Sequence, residues 1–210
     1  GYQAQHRFGD AELRRMFAAV SALAYRNGLD NPLAHFGKGG PSDKLGLTSP
    51  EAILALPPEK NPDIAPPLRL HDCSLITDGA AAVVIMRTAD AKAAGKKAVE
   101  LAGIAHVNER LPMSVRDNLH ELAGAKEAVR RAFAEARMSL ADVQLAEVHD
   151  CFSIAQLLAT EALGLSRDGR AGVDYLEGRF GRDDDRCAVN LSGGLKAKGH
   201  PVGATGVSMH

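Results

Sequence analysis

At 210 residues the chain has room for one large domain or two small ones. Hydrophobic residues make up 45% and charged residues 24%, enough to bury a core and too apolar for a disordered chain. A net charge of −1, 4% aromatics and no tryptophan give no basic footprint or stacking platform for nucleic acid, and no attraction to an anionic membrane surface.

No apolar run approaches the ~20 residues of a membrane helix, and the opening GYQAQHRFGD lacks the apolar core of a signal peptide. Cys73, Cys151 and Cys187 are far apart, with no C-x-x-C pair. Such a set suits a reducing compartment better than a disulfide framework, so the expectation is a soluble, cytoplasmic protein.

In chain order, residues 10–27 read as a helix, with Leu13, Phe17, Val20 and Ala24 on one face, Asp10 as its cap and Asn27-Gly28 as its end. NPLAHFGKGGPSDKLG is loop. Ser49-Pro50-Glu51 starts a short helix, which gives way to the extended PPEKNPDIAPP. CSLITDGAAAVVIM, residues 73–86, has a turn at Asp78-Gly79 and then an apolar run that predicts a fully buried strand. Residues 89–95 are helical or linking, and 99–107 are a further strand candidate. Residues 122–138 give the clearest helix, with Leu122, Ala125, Val129, Ala132, Phe133 and Ala136 on one face. A capping-box turn at 139–142 leads to a strand at 144–148 and a helix at 152–163 ended by Gly164. A last short strand, 187–190, leads into NLSGGLKAKGHPVGATG, residues 190–206, with a helix expected from Pro201. Alternating strands and helices predict an α/β layered fold with mostly parallel strands.

Two strand-to-helix corners carry a histidine each: His149 in HDCF and His200 in GHP. Ligands of open α/β sheets bind beyond the carboxyl ends of strands, and histidine holds or moves a proton near neutral pH. Either histidine could equally be a structural loop residue. Asp150 is the natural N-cap of the 152–163 helix. Cys151 lies too near His149 in sequence to face it, so a Cys/His nucleophile pair is disfavoured.

The glycines at 193, 194, 199, 203 and 206 fit no phosphate motif. Where a P-loop needs Lys and Ser or Thr there are His200 and Pro201, and the G-x-G-x-x-G spacing is absent. A linker reading leaves Pro201, Val202, Ala204 and Val207 without a purpose. The remaining reading is a loop whose glycines clear space around His200.

These residues resemble a known family. NLSGGLKAKGHPVGATG is similar to the glycine-histidine-proline loop of thiolases. EVHDCFSIAQLLATEALGL resembles the H-D-C-F loop of the sterol-carrier-protein (SCP2-like) branch. CSLITDGAAAVVI resembles the end of the thiolase N-terminal half. The resemblance implies helices packed on mixed, mostly parallel sheets. Residues 1–70 would be part of an inserted loop domain, 71–95 the end of the N-terminal half, and 96–210 a C-terminal half that stops before its last strands. It implies a coenzyme A thioester as substrate, no permanently bound cofactor or metal, an acyl-cysteine intermediate and carbon–carbon bond formation or cleavage. It also implies a homo-oligomer, dimer or tetramer, and a peroxisomal or mitochondrial location if the source is eukaryotic.

By position, His200 resembles the histidine that activates the nucleophilic cysteine, and His149 the residue completing an oxyanion site. Ser74 matches a position touching the pantetheine arm, and Gly193 and Gly194 would keep backbone near substrate. Lys196 and Lys198 are either solvated or placed to meet coenzyme A phosphates. The family's nucleophilic cysteine and its C-x-G acid/base cysteine match none of the three cysteines here. The chain is therefore read as a fragment that is inactive alone, and turnover of acetoacetyl-coenzyme A by residues 1–210 would overturn that. Two alternatives stay open: a retro-aldolase on the same fold, working with a small partner protein, and a non-catalytic subunit binding acyl-coenzyme A or a partner protein.

Overall fold

The computed structural model describes residues 1–95, 97–110, 112–184 and 186–210. Helix α1 (Tyr2–His6) is followed by α2 (Asp10–Gly28), α3 (Pro41–Lys44) and α4 (Pro50–Leu54). A small antiparallel hairpin, β1 (Asp63–Ala65) with β2 (Leu68–Arg69), leads to a single 3-10 turn at Leu70–Asp72. Then come α5 (Thr88–Ala93), α6 (Ala123–Ala136), β3 (Leu145–Ala146), α7 (Ser153–Ala162), α8 (Ala171–Leu176), β4 (Ala188–Val189), α9 (Gly194–Lys198) and α10 (Thr205–Ser208).

Helix α2 is the axis of the molecule. Its predicted face is buried, and so is every residue from Met16 to Tyr25, because α4, α7, α8 and α9 surround it. One side joins Phe17, Val20, Leu157, Tyr175, Phe180 and Val189 in the larger core. The other packs Ala22 and Tyr25 on Leu47, Ile53 and Ala197. Each large apolar side chain so buried contributes about 1.5–3 kcal/mol. Gly9, rather than Asp10, is the N-cap; Asp10 is the first helical residue and accepts from Gln3 Nε2. Beside Glu12, its charge still suits the helix N-terminus. Ser49 caps α4 through the amide of Ala52, as its sequence predicts.

Several elements differ from expectation. Residues 79–87 form no strand, and Val84 and Ile85 are 85% and 89% exposed. Val99 and Leu101, in the second strand candidate, are also exposed. A strand exists only through its ladder, and among the described residues no other segment pairs with these two. The strands at 144–148 and 187–190 do form. They are short and parallel, pairing Leu145 with Ala188 and Ala146 with Val189. Helix α6 lies within its predicted span but stays half-buried, packed on α7, with residues 103–104 running across it. The helix expected from Pro201 begins only at Thr205. No described helix is long and apolar enough to cross a membrane.

The end of α2 meets the start of α9 backbone to backbone. A β-carbon on Gly28 would lie 2.8 Å from Ala197 Cβ, and one on Gly193 would lie 2.9 Å from Gly28 Cα. Gly28→Ala should cost about 1–3 kcal/mol through overpacking, although alanine is the better helix former. Gly203 faces open space with no positive φ, so Gly203→Ala should change stability by less than about 1 kcal/mol. Denaturant midpoints of the two variants test the difference.

Candidate active site at two loop corners

Because β3 and β4 run parallel, both leave the sheet at the same end. One enters residues 147–152 and the other residues 190–200. Asn190 turns the second chain with φ 53°, and its Oδ1 accepts the Val148 amide at 2.7 Å. Asn27 Nδ2, from the buried end of α2, donates to the carbonyls of Val189 and Asn190. Asn31 Nδ2 donates to that of Ser192.

Two carboxylates flank His149 and grip the other loop. Glu147 accepts from the amide and hydroxyl of Ser192 at 2.9 and 2.7 Å. Asp150, 2% exposed, accepts from the amides of Leu195 and Lys196 at 2.7 and 3.2 Å. Asp150 thus caps α9. The helix that follows it, α7, starts after Phe152 without a side-chain cap, so the sequence-based assignment of Asp150 named the wrong helix. Burial pushes the Asp150 carboxyl up to about 6, against the pull of the two amides. Gly194 has φ 59°, and a β-carbon there would lie 2.3 Å from Asp150 Oδ2. The room cleared by Gly193 and Gly194 is taken by α2 and by Asp150.

The clamp brings His149 and His200 together. Their rings lie 5.1 Å apart, edge to face at 83°. Burial lowers the pKa of His200; burial first, and then His200 itself, lowers that of His149. Both shifts favour the neutral ring, the form able to take up a proton. His200 Nδ1 lies 2.8 Å from Thr205 Oγ1, and the His200 amide donates to Thr77 Oγ1 at 3.2 Å.

A third segment, residues 70–77, lies between the two corners. Cys73 bridges Phe152 in antiparallel fashion, and the Ser74 amide donates to the Cys151 carbonyl at 2.8 Å. Ser74 is thus held at the His149 corner, while Thr77 reaches the His200 loop. Lys196 Nζ donates to the carbonyls of Cys73 and Leu70, beneath the Tyr25 ring at 5.3 Å. Lys196 is buried, and burial lowers its pKa to about 8. It is neither solvated nor placed to meet a phosphate. Lys198 reaches the carbonyl and hydroxyl of Ser208 instead.

Cys187 is buried and Cys73 and Cys151 are half-buried; burial raises all three thiols, the opposite of an activated nucleophile. Sequence reasoning missed Glu147, Thr77 and Thr205. The first carried a signal, since EVHD sets an acid on each side of His149. The threonines carried none, because their partners are remote or on the next turn. Among the described residues no group of three or more His, Cys, Asp or Glu is arranged to hold a metal ion.

Residues 105–210 match the thiolase C-terminal domain-like family, and the chain belongs to it. Within the family, the chain is 34% identical over 204 residues to an acetyl-CoA acetyltransferase of Methanothermobacter thermautotrophicus, covering 97% of this chain and 50% of that protein. It is 32% identical to sterol carrier protein 2 of Oryctolagus cuniculus, over 91% of this chain and 34% of that protein. The chain thus spans half or less of the length of these relatives. Among solved structures, the Ltp2-ChsH2(DUF35) aldolase shares the fold with a TM-score of 0.72 at 16% identity, over 99% of this chain and 51% of that chain.

Removing the Asp150 carboxylate leaves two buried amides unpaired, so Asp150→Ala should lose about 1–3 kcal/mol, read as a lower denaturant midpoint. Lys196 gives a test in pH. The unfolded chain keeps the lysine proton up to about 10.4, whereas the folded chain releases it at about 8. Between those values the unfolded state binds more protons, so stability rises with pH. The wild type should gain on Lys196→Met from pH 8 to pH 10 in paired thermal melts, and parallel curves would remove the buried ammonium from the account.

Proposed function

We propose that this chain is part of an acyl-CoA C-acyltransferase of the thiolase type. The whole protein makes or cleaves the carbon–carbon bond of a 3-ketoacyl-CoA through an acyl-cysteine intermediate. The observation that carries this is the pairing of the His149 and His200 rings, 5.1 Å apart beyond the carboxyl ends of two parallel strands. A neutral His200 is suited to take the proton of a cysteine thiol, turning a weak nucleophile into a thiolate. Once protonated, it and His149 offer N–H donors to the thioester oxygen as negative charge develops there. Burial raises the thiols of Cys73, Cys151 and Cys187, which supports a nucleophile other than these three cysteines.

In this reading residues 1–70 belong to the inserted loop domain, 71–95 close the N-terminal half and 96–210 form the C-terminal half. Gly193 and Gly194 keep the loop backbone near the substrate, and Ser74 touches the pantetheine arm. The coenzyme A thioester is the substrate, and no cofactor is permanently bound. The whole protein is a homo-oligomer in the cytoplasm.

The likeness to an aldolase supports a second reading, a retro-aldolase with a small partner protein. The resemblance implies tyrosines at the reacting centre of such retro-aldolases. Tyr2, Tyr25 and Tyr175 are all buried, and their hydroxyls meet Glu161, His71, and the pair Gln156 and Thr160. The histidine pair favours acyl transfer.

The test is thiolysis of acetoacetyl-coenzyme A by the full-length protein. His200→Ala should reduce kcat at least ~100-fold, the scale of a lost general base. His149→Ala should cost on the order of 100-fold as a lost oxyanion donor. Near-normal turnover by His200→Ala would overturn the assignment, and retro-aldol cleavage without thiolysis would select the second reading.

A further inference from the structure

The side chain of His200 is held by one hydroxyl, and that hydroxyl has one hydrogen to place. Thr205 Oγ1 lies 2.8 Å from His200 Nδ1 and 3.0 Å from the carbonyl oxygen of Pro201. Thr205 is 2% exposed, so solvent does not rearrange these partners. The Pro201 carbonyl has no hydrogen to give, and it already accepts the amides of Ala204 and Thr205. Two oxygens 3.0 Å apart with no hydrogen between them repel. The Thr205 hydrogen therefore lies toward Pro201, the back-bond to the i−4 carbonyl that threonine makes in a helical turn. The Thr205 oxygen is left as an acceptor toward the ring, and a contact of 2.8 Å requires a ring N–H at Nδ1.

We propose that Thr205 is the positioning residue that sets the tautomer of His200, keeping the ring proton on Nδ1 and the lone pair on Nε2. The tautomer is a property of this chain; its catalytic consequence rests on the acyltransferase reading. With Nδ1 committed to Thr205, only Nε2 is open to a reacting group. When a thiol approaches, Nε2 takes its proton and the S–H electron pair stays on sulfur. The products are a thiolate and an imidazolium whose Nδ1–H still points at Thr205. The opposite tautomer would present an N–H to the thiol and could not accept its proton. Thr205 also anchors the ring direction: its hydroxyl belongs to the first turn of α10, and the His200 amide is fixed on Thr77.

The test uses full-length protein labelled with 15N-histidine, with the His200 ring signals assigned by their loss in His200→Gln. Long-range 1H–15N correlation distinguishes the two neutral tautomers. The wild type should show His200 protonated at Nδ1. Thr205→Val, which keeps the shape and loses the hydroxyl, should shift the population toward Nε2–H. It should also lower kcat by roughly 10- to 100-fold, within the range of a mispositioned general base, while KM changes by less than about threefold. Thr205→Ser should restore the Nδ1–H tautomer and recover most of the lost kcat. An Nε2–H tautomer in the wild type, or an unchanged tautomer in Thr205→Val, would overturn the proposal. If Thr205→Val fails to fold, the wild-type and Thr205→Ser spectra still decide. An Nδ1–H tautomer in a protein without thiolase activity would sink the reaction assignment and leave the positioning role standing.

Discussion

A carboxylate at one loop corner holds the start of a helix far along the chain, α9, and the site depends on that contact. Asp150 is among the most enclosed charged groups in the molecule, and its two acceptor oxygens meet the first amides of α9. Burying a charge is costly unless its partners are fixed. Here they are backbone amides at a helix N-terminus, which cannot rotate away. The same contact explains Gly194, since any side chain there would collide with the carboxylate. Glu147 repeats the arrangement on Ser192. His149, between the two acids, is placed by its neighbours rather than by a side-chain hydrogen bond among the described residues, and His200 is delivered to it by the helix that Asp150 caps.

The second constraint is the segment at 70–77, which fills the gap between the corners and contacts both. Its carbonyls need donors, and the Lys196 ammonium supplies them from below. An ammonium in that position is expensive, as its lowered pKa records. The cost is offset by two carbonyls and the Tyr25 ring face. Tyr25 meets His71 Nδ1 through its hydroxyl, so a polar seam runs from α2 through the turn at Leu70–Asp72 to α9. The histidine loops therefore rest on α2 by way of side chains rather than on a wide sheet.

Much of this was legible in the sequence. The helical period of α2, the capping box at 139–142, the Ser49-Pro50 start and the two histidine corners are local signals, and local signals survive into the structure. Two kinds of feature were not legible. One is direction: a carboxylate before a helix reads as that helix's cap, yet Asp150 turns to α9, and α7 begins at Ser153 with Phe152 as its N-cap. The other is partnership. The apolar run that ends residues 73–86, and residues 99–107, have the composition of strands, but composition cannot supply the neighbour that completes a ladder. Lys196 combines both difficulties. Nothing in LKAKG distinguishes the buried lysine from the half-buried one; the short helix α9 turns the first inward and the second toward Ser208.

The uncovered run AAAVVIM has a consequence for handling the chain in solution. It carries no charge, no proline and no glycine, and its amides and carbonyls are not taken up by a neighbouring strand. Such a segment pairs readily with a copy of itself, in register, when nothing else occupies its edge. Whether that edge is covered therefore bears on the solubility of the 210 residues, alongside net charge. A single lysine at Val84, which is 85% exposed, is the smallest change that would interrupt the template without touching either histidine loop.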